Sequence, residues 1–175
     1  MADVCDAMKQ AISMAEQRQQ FYQSDACRSS NPLAAKTFEA LAQWEGEHIA
    51  LLRSIYESAE ATNSCPMLES LNAEQRDMMA ACAQIFSAAQ AELSGEIKPE
   101  PALDDAYATA MQLEREAIRF FSGLVDEAQN EVEKELYGFL LSQERDKLNL
   151  LATTEEYLND TAYWNFRNEM WIVTG

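Results

Sequence analysis

Apolar residues recur along this chain every three or four positions, the period of one face of an α-helix. Val4, Met8, Ala11, Ala15, Tyr22 and Ala26 mark a first stripe. The segment SSNP, Ser29 to Pro32, interrupts it: Asn31 can cap a helix and Pro32 can open one at its first position. A second stripe follows at Phe38, Leu41, Glu45, His48, Leu52 and Ile55. A third runs through Tyr107, Ala110, Glu114, Ala117, Phe121 and Leu124. Asn130, with Glu133 three residues on, has the form of a capping box, and a fourth stripe continues at Tyr137, Leu140, Glu144, Lys147 and Leu151. Between these pairs lies a further helix expected over residues 72–94, with Met78, Cys82, Ile85, Phe86, Ala89 and Leu93 apolar and Gly95 as its stop. Met79 is expected in the core beside Met78. KPEP, Lys98 to Pro101, reads as a stiff turn, and no strand pattern competes.

The second pair of stripes repeats the first at an offset of 99 residues, without a gap. AISMAEQRQQFY, from Ala11, falls on AMQLEREAIRFF, from Ala110; TFEALAQWEGEHIALL, from Thr37, falls on LYGFLLSQERDKLNLL, from Leu136. Glu45 meets Glu144, His48 meets Lys147, and Ala15 meets Glu114. The chain is therefore expected to be all-α and to form one domain over residues 1–175. Its parts are hairpin one (3–58), the linker helix (72–94), hairpin two (103–158) and a C-terminal segment (159–175).

Four stripe positions are ionisable. Glu114 and Glu144 stand equidistant from the turn at Gln129, and Ala15 and Glu45 from the turn at Ser30. In an antiparallel pair such positions lie at one height, for Glu114 and Glu144 roughly 22 Å from their turn at ~1.5 Å per residue. Stacked hairpins can bring Glu45, Glu114 and Glu144 into one layer, with His48 a turn away. Three buried carboxylates need compensation by a proton, a buried cation or a metal. Glu45-x-x-His48 places a carboxylate and an imidazole on one face, and a glutamate on each of two helices with Glu-x-x-His on each of the other two is the ligand set of di-iron bundles.

The bulk numbers narrow the function classes. Acidic residues number 30 against 13 Lys and Arg, for a net charge of −17, which repels nucleic acid and anionic membranes. No apolar run reaches the ~20 residues of a membrane span, and MADVCDAMKQ lacks a leader's basic and apolar regions, so a cytoplasmic location is expected. Cys5, Cys27, Cys65 and Cys82 form no CxxC pair, which excludes a zinc ribbon or rubredoxin-type iron site and favours reduced thiols.

EREAIRFF with LYGFLLSQERDKLNLL, and TFEALAQWEGEHIALL with the helix before it, resemble the halves of the rubrerythrin-related, ferritin-like di-iron carboxylate family, here without a rubredoxin domain. The resemblance covers roughly residues 5–58 and 103–158. It implies an antiparallel four-helix bundle with a carboxylate-bridged two-metal centre, usually iron. It also implies reduction of peroxide or oxygen, or oxidation and storage of Fe(II). Glu45 and Glu144 would bridge the ions, His48 would be a terminal ligand of one, and Glu114 of the other. Two positions depart from the pattern. The first-helix glutamate is Ala15, with Glu16 about 100° round the helix and expected on the surface. The second histidine is Lys147. Exchanging these two positions for Glu and His would be expected to complete the ligand set.

The first reading of the degenerate site is a ferritin-like metal-binding protein that holds iron or another divalent metal, as one or two ions, with peroxidase or ferroxidase chemistry; two other readings stay open. It could hold a single structural ion at His48. Or it could be metal-free, with Lys147 among Glu45, Glu114 and Glu144 as a metal substitute, and the bundle could serve as a non-enzymatic binding or assembly module. His48 could equally be a satisfied core histidine, Lys147 could extend to solvent, and Tyr22 reads as plain core. Trp164, Phe166, Trp171, Ile172 and Val173 crowd the C-terminal segment and must be covered, by the bundle or by a homodimer partner.

Overall fold

The computed structural model describes residues 4–24, 27–71, 75–92 and 101–159. Five α-helices account for most of them: α1 (Val4–Tyr22), α2 (Pro32–Thr62), α3 (Met78–Glu92), α4 (Pro101–Glu127) and α5 (Glu131–Asn159). One 3-10 turn, Leu68–Leu71, lies between α2 and α3. No strand occurs among the described residues. None of their helices is long and apolar enough to cross a membrane.

The helix ends follow local chemistry. Asn31 Oδ1 accepts from Leu33 N at 2.9 Å and Ala34 N at 3.4 Å, satisfying amides that a helix start leaves unpaired, with Pro32 next in line. Asn63 closes α2 in the left-handed conformation, at φ 53°. Asn130 Oδ1 accepts from Glu133 N at 3.0 Å, while Glu133 reaches back to Gln129 N at 2.8 Å, one residue earlier than the capping box requires.

The linker helix is shorter than its expected span of 72–94. It begins at Met78 because Asp77 caps it, accepting from Ala80 N at 3.1 Å, while residues 75–77 are non-helical. Ile85 and Ala89 are buried and Met78, Cys82 and Phe86 pack partly, but Met79 is exposed, contrary to its expected place in the core. Residues 93–100, with Leu93, Gly95 and most of KPEP, lie outside the described residues, as do Ala26 and the C-terminal segment from residue 160.

The two hairpins, α1–α2 and α4–α5, pack face to face, α1 against α4 and α2 against α5, and α3 covers part of α2 and α5. All described members of the four stripes are inward except the half-buried Val4. The apolar core falls into two clusters. Tyr22, Phe38, Leu41, Tyr107, Leu150 and Leu151 belong to one; Met8, Leu52, Ile55, Phe121, Leu136 and Leu140 belong to the other. The first cluster lies at the turn end of hairpin one and the open end of hairpin two, so the hairpins stack with their turns at opposite ends. Their arrangement makes the described bundle ferritin-like. The ionisable stripe positions fall between the two clusters.

Candidate metal centre

A layer of charge separates the apolar clusters, and it contains one residue more than the stripes suggested. Arg18 lies on α1 one turn beyond Ala15 and one turn before Tyr22, and its side chain is 2% exposed. Its guanidinium takes Glu45 in a two-point grip, Nε to Oε1 at 3.0 Å and Nη2 to Oε2 at 3.2 Å. Nη2 also donates to Glu144 Oε1 at 3.3 Å, and Nε lies 3.7 Å from Glu114 Oε2. Planar, bidentate pairing with carboxylate is what arginine does best among the cations.

Lys147 enters the same layer from α5. Its ammonium donates to Glu45 Oε1, lies 2.7 Å from Glu144 Oε2, and stands 3.8 Å from Glu114 Oε2. It is buried, so its ammonium ends among the carboxylates and does not extend to solvent. Tyr22 is not plain core: its hydroxyl donates to Glu114 Oε1. His48 is buried with Nδ1 2.9 Å from Gln143 Oε1. Its Nε2 lies 2.9 Å from Glu144 Oε1, near enough for attraction but off the line of a directed hydrogen bond. Glu45 and His48 share a helix face, yet the imidazole turns to Glu144 and Gln143. Glu16 lies outside the layer, paired with Arg53 at 2.8 Å on the surface.

The electrostatics of the layer are mutually supporting. Burial alone would disfavour the Arg18 and Lys147 cations, but the three carboxylates more than offset it and hold both above their ordinary values. For Glu144, burial is overcome by Lys147, Arg18 and His48, so its carboxyl is held well below the usual range. Glu114 goes the other way. Burial pushes it up to about 8, against the pull of Lys147 and Arg18. Burial, then the neighbouring Glu114, raises the Tyr22 phenol well above 10. Burial thus favours the protonated form of Glu114, while Lys147, Arg18 and His48 favour the ionised form of Glu144.

The expected ligands Glu45, Glu114 and Glu144 do converge: one oxygen from each lies within 4.8 Å of the others, a set that could hold a metal. The layer as built does not fit one. Each Glu45 and Glu144 oxygen already meets Arg18 or Lys147 within 3.3 Å, and Glu114 Oε1 is held by Tyr22. Among the described residues, Glu114 Oε2 and Glu144 Oε2 are the layer's carboxylate oxygens that accept no directed hydrogen bond, though Lys147 Nζ lies 2.7 Å from Glu144 Oε2. A divalent ion here would stand against two fixed cations at short range in a low-dielectric interior, a repulsion on the order of several kcal/mol. Exchanging Ala15 and Lys147 alone would not complete a ligand set, because Arg18 would remain among the carboxylates.

Arg18 escaped the stripe reading because a buried arginine is rare. The signal was present: the α1 stripe steps by seven from Ala15 to Tyr22, and position 18 fills the gap with the regular spacing of three and four.

Neither a curated protein nor a solved structure matches the chain. A family model does: that of rubrerythrin, over residues 6–155, a span that takes in both hairpins and every residue of the layer. The family is one of ferritin-like proteins that typically bind iron. With that match added to the repeated hairpins and the converging glutamates, the chain belongs to the rubrerythrin family.

Proposed function

We propose that this chain is a metal-free, non-enzymatic member of its family, a bundle that works as a binding or assembly module rather than by reducing peroxide or oxygen or oxidising Fe(II). One observation carries the reading: Arg18 and Lys147 both sit inside the carboxylate layer and contact all three glutamates. A redox centre of the family type needs those oxygens for ions, and here they are committed to nitrogen. Burial pushes the Cys27 and Cys65 thiols each up to about 11, so these two hold little reactive thiolate near neutral pH.

For the assembly role we propose a homodimer. Elemental analysis of protein prepared without chelator or immobilised nickel should find no metal in proportion to chain. Peroxide consumption with a reductant should not exceed that of buffer. Iron near one ion per chain together with turnover would overturn the reading.

A further inference from the structure

The carboxylates in this layer span two nitrogen cations in the way that bridging carboxylates span two ions. Glu144 presents Oε1 to Arg18 Nη2 at 3.3 Å and Oε2 to Lys147 Nζ at 2.7 Å, one oxygen to each cation. Glu45 shares Oε1 between Arg18 Nε, at 3.0 Å, and Lys147 Nζ. Glu114 Oε2 stands almost midway, 3.7 Å from Arg18 and 3.8 Å from Lys147. The cations come from opposite repeats and track the two departures from the family pattern. Lys147 stands where an imidazole is called for, and Arg18 lies one turn along α1 from the alanine that replaces a glutamate.

We propose that Arg18 and Lys147 are one-for-one replacements for the two metal ions, each holding the bundle's glutamates together in place of one divalent cation. This rests on the metal-free reading above and adds that the exchange is reversible in chemistry. Removing either side chain leaves glutamates without a counter-charge, and a divalent ion can supply it. A merely structural salt bridge would be weakened by the same substitution and ignore added metal.

The test uses Co(II) as the probe, with Arg18→Met, Lys147→Met and the double variant, each retaining an apolar stem. Titration and thermal melting are read together. The unaltered chain should bind no Co(II) and melt at the same temperature with or without it. Each single variant should melt lower, bind about one Co(II) per chain and recover most of the lost melting temperature. The double variant should bind about two. Adding Glu144→Gln to Arg18→Met should abolish the Co(II) response, since both remaining partners of that carboxylate then face a neutral amide.

Folded single variants that neither bind Co(II) nor respond to it in melting would overturn the proposal. So would Co(II) binding that survives Glu144→Gln. If the Met variants fail to fold alone, refolding should succeed with Co(II) and fail without it; failure in both cases counts against the proposal. Lys147→His, which offers an imidazole, is then the second variant and should bind about one ion. The metal-free reading is judged separately, on metal content and peroxide turnover of the unaltered chain. It can stand while every variant ignores Co(II).

Discussion

At the scale of single residues, the three glutamates of the layer are chemically alike in sequence and different in place. Glu144 is ionised against Lys147, Arg18 and His48. Glu114 is held neutral by burial up to about 8 and is hydrogen-bonded by Tyr22. Glu114→Gln should therefore cost on the order of 1 kcal/mol, since a neutral amide replaces a neutral acid. Glu144→Gln should cost about 3–5 kcal/mol, because it strips a partner from two buried cations. Denaturant melts of the two variants check the order. The pH dependence has a definite sign. From pH 4.5 to about 8 the folded chain keeps the Glu114 proton that the unfolded chain releases, so this group's contribution to stability falls as pH rises. It does so facing Arg18 and Tyr22 from α1, Glu45 from α2, and Glu144 and Lys147 from α5. Glu144 contributes stability above pH 4.5 that is lost as pH falls through its lowered value. Subtracting the Glu114→Gln profile from that of the unaltered chain should leave a decline between pH 4.5 and 8; a flat difference would show that Glu114 is already ionised there.

Elements were legible in the sequence wherever a period and a cap agreed, and less so where only one was present. Asn31 before Pro32, and Asn130 before Glu133, set the starts of α2 and α5 within a residue. The stripe predicted α3 but not its start, since Asn72 and Asp77 are both good caps and period alone does not choose between them. Asp77 serves, and Met79 turns outward because α3 rests only one face on the bundle. The converging glutamates were readable for a simple reason: helices of known rise put residues equidistant from a turn at equal height. Arg18 was not readable as a core residue from its own type. It becomes so only when three inward carboxylates on neighbouring helices demand a counter-charge. At this scale Asn31→Ala should cost about 1 kcal/mol of bundle stability, from two amides that lose their acceptor. A melting temperature lower by roughly 2–4 °C is the expected reading.

The whole molecule carries its charge in two very different places. The net −17 is spread over a surface with more than twice as many acids as bases, where like charges repel and oppose compaction. The buried layer sets two cations against three carboxylates, and the side chains of its Arg18–Glu45 and Lys147–Glu144 pairs are at most 4% exposed. Salt should separate the two. At 1 M the screening length falls to about 3 Å, which removes surface repulsion and leaves buried pairs almost untouched. Raising NaCl from about 0.01 M to 1 M should therefore raise the melting temperature of the intact chain by several degrees. A double-mutant cycle between Arg18→Met and Glu45→Gln should meanwhile return the same coupling at both salt concentrations. The surface pair Arg53–Glu16, more than half exposed on the arginine side, is the internal control: its coupling should be small and should vanish in high salt. A salt-sensitive Arg18–Glu45 coupling would mean that water and ions reach the layer. The separation of the apolar clusters by a sealed charge layer would then be the wrong picture of this bundle.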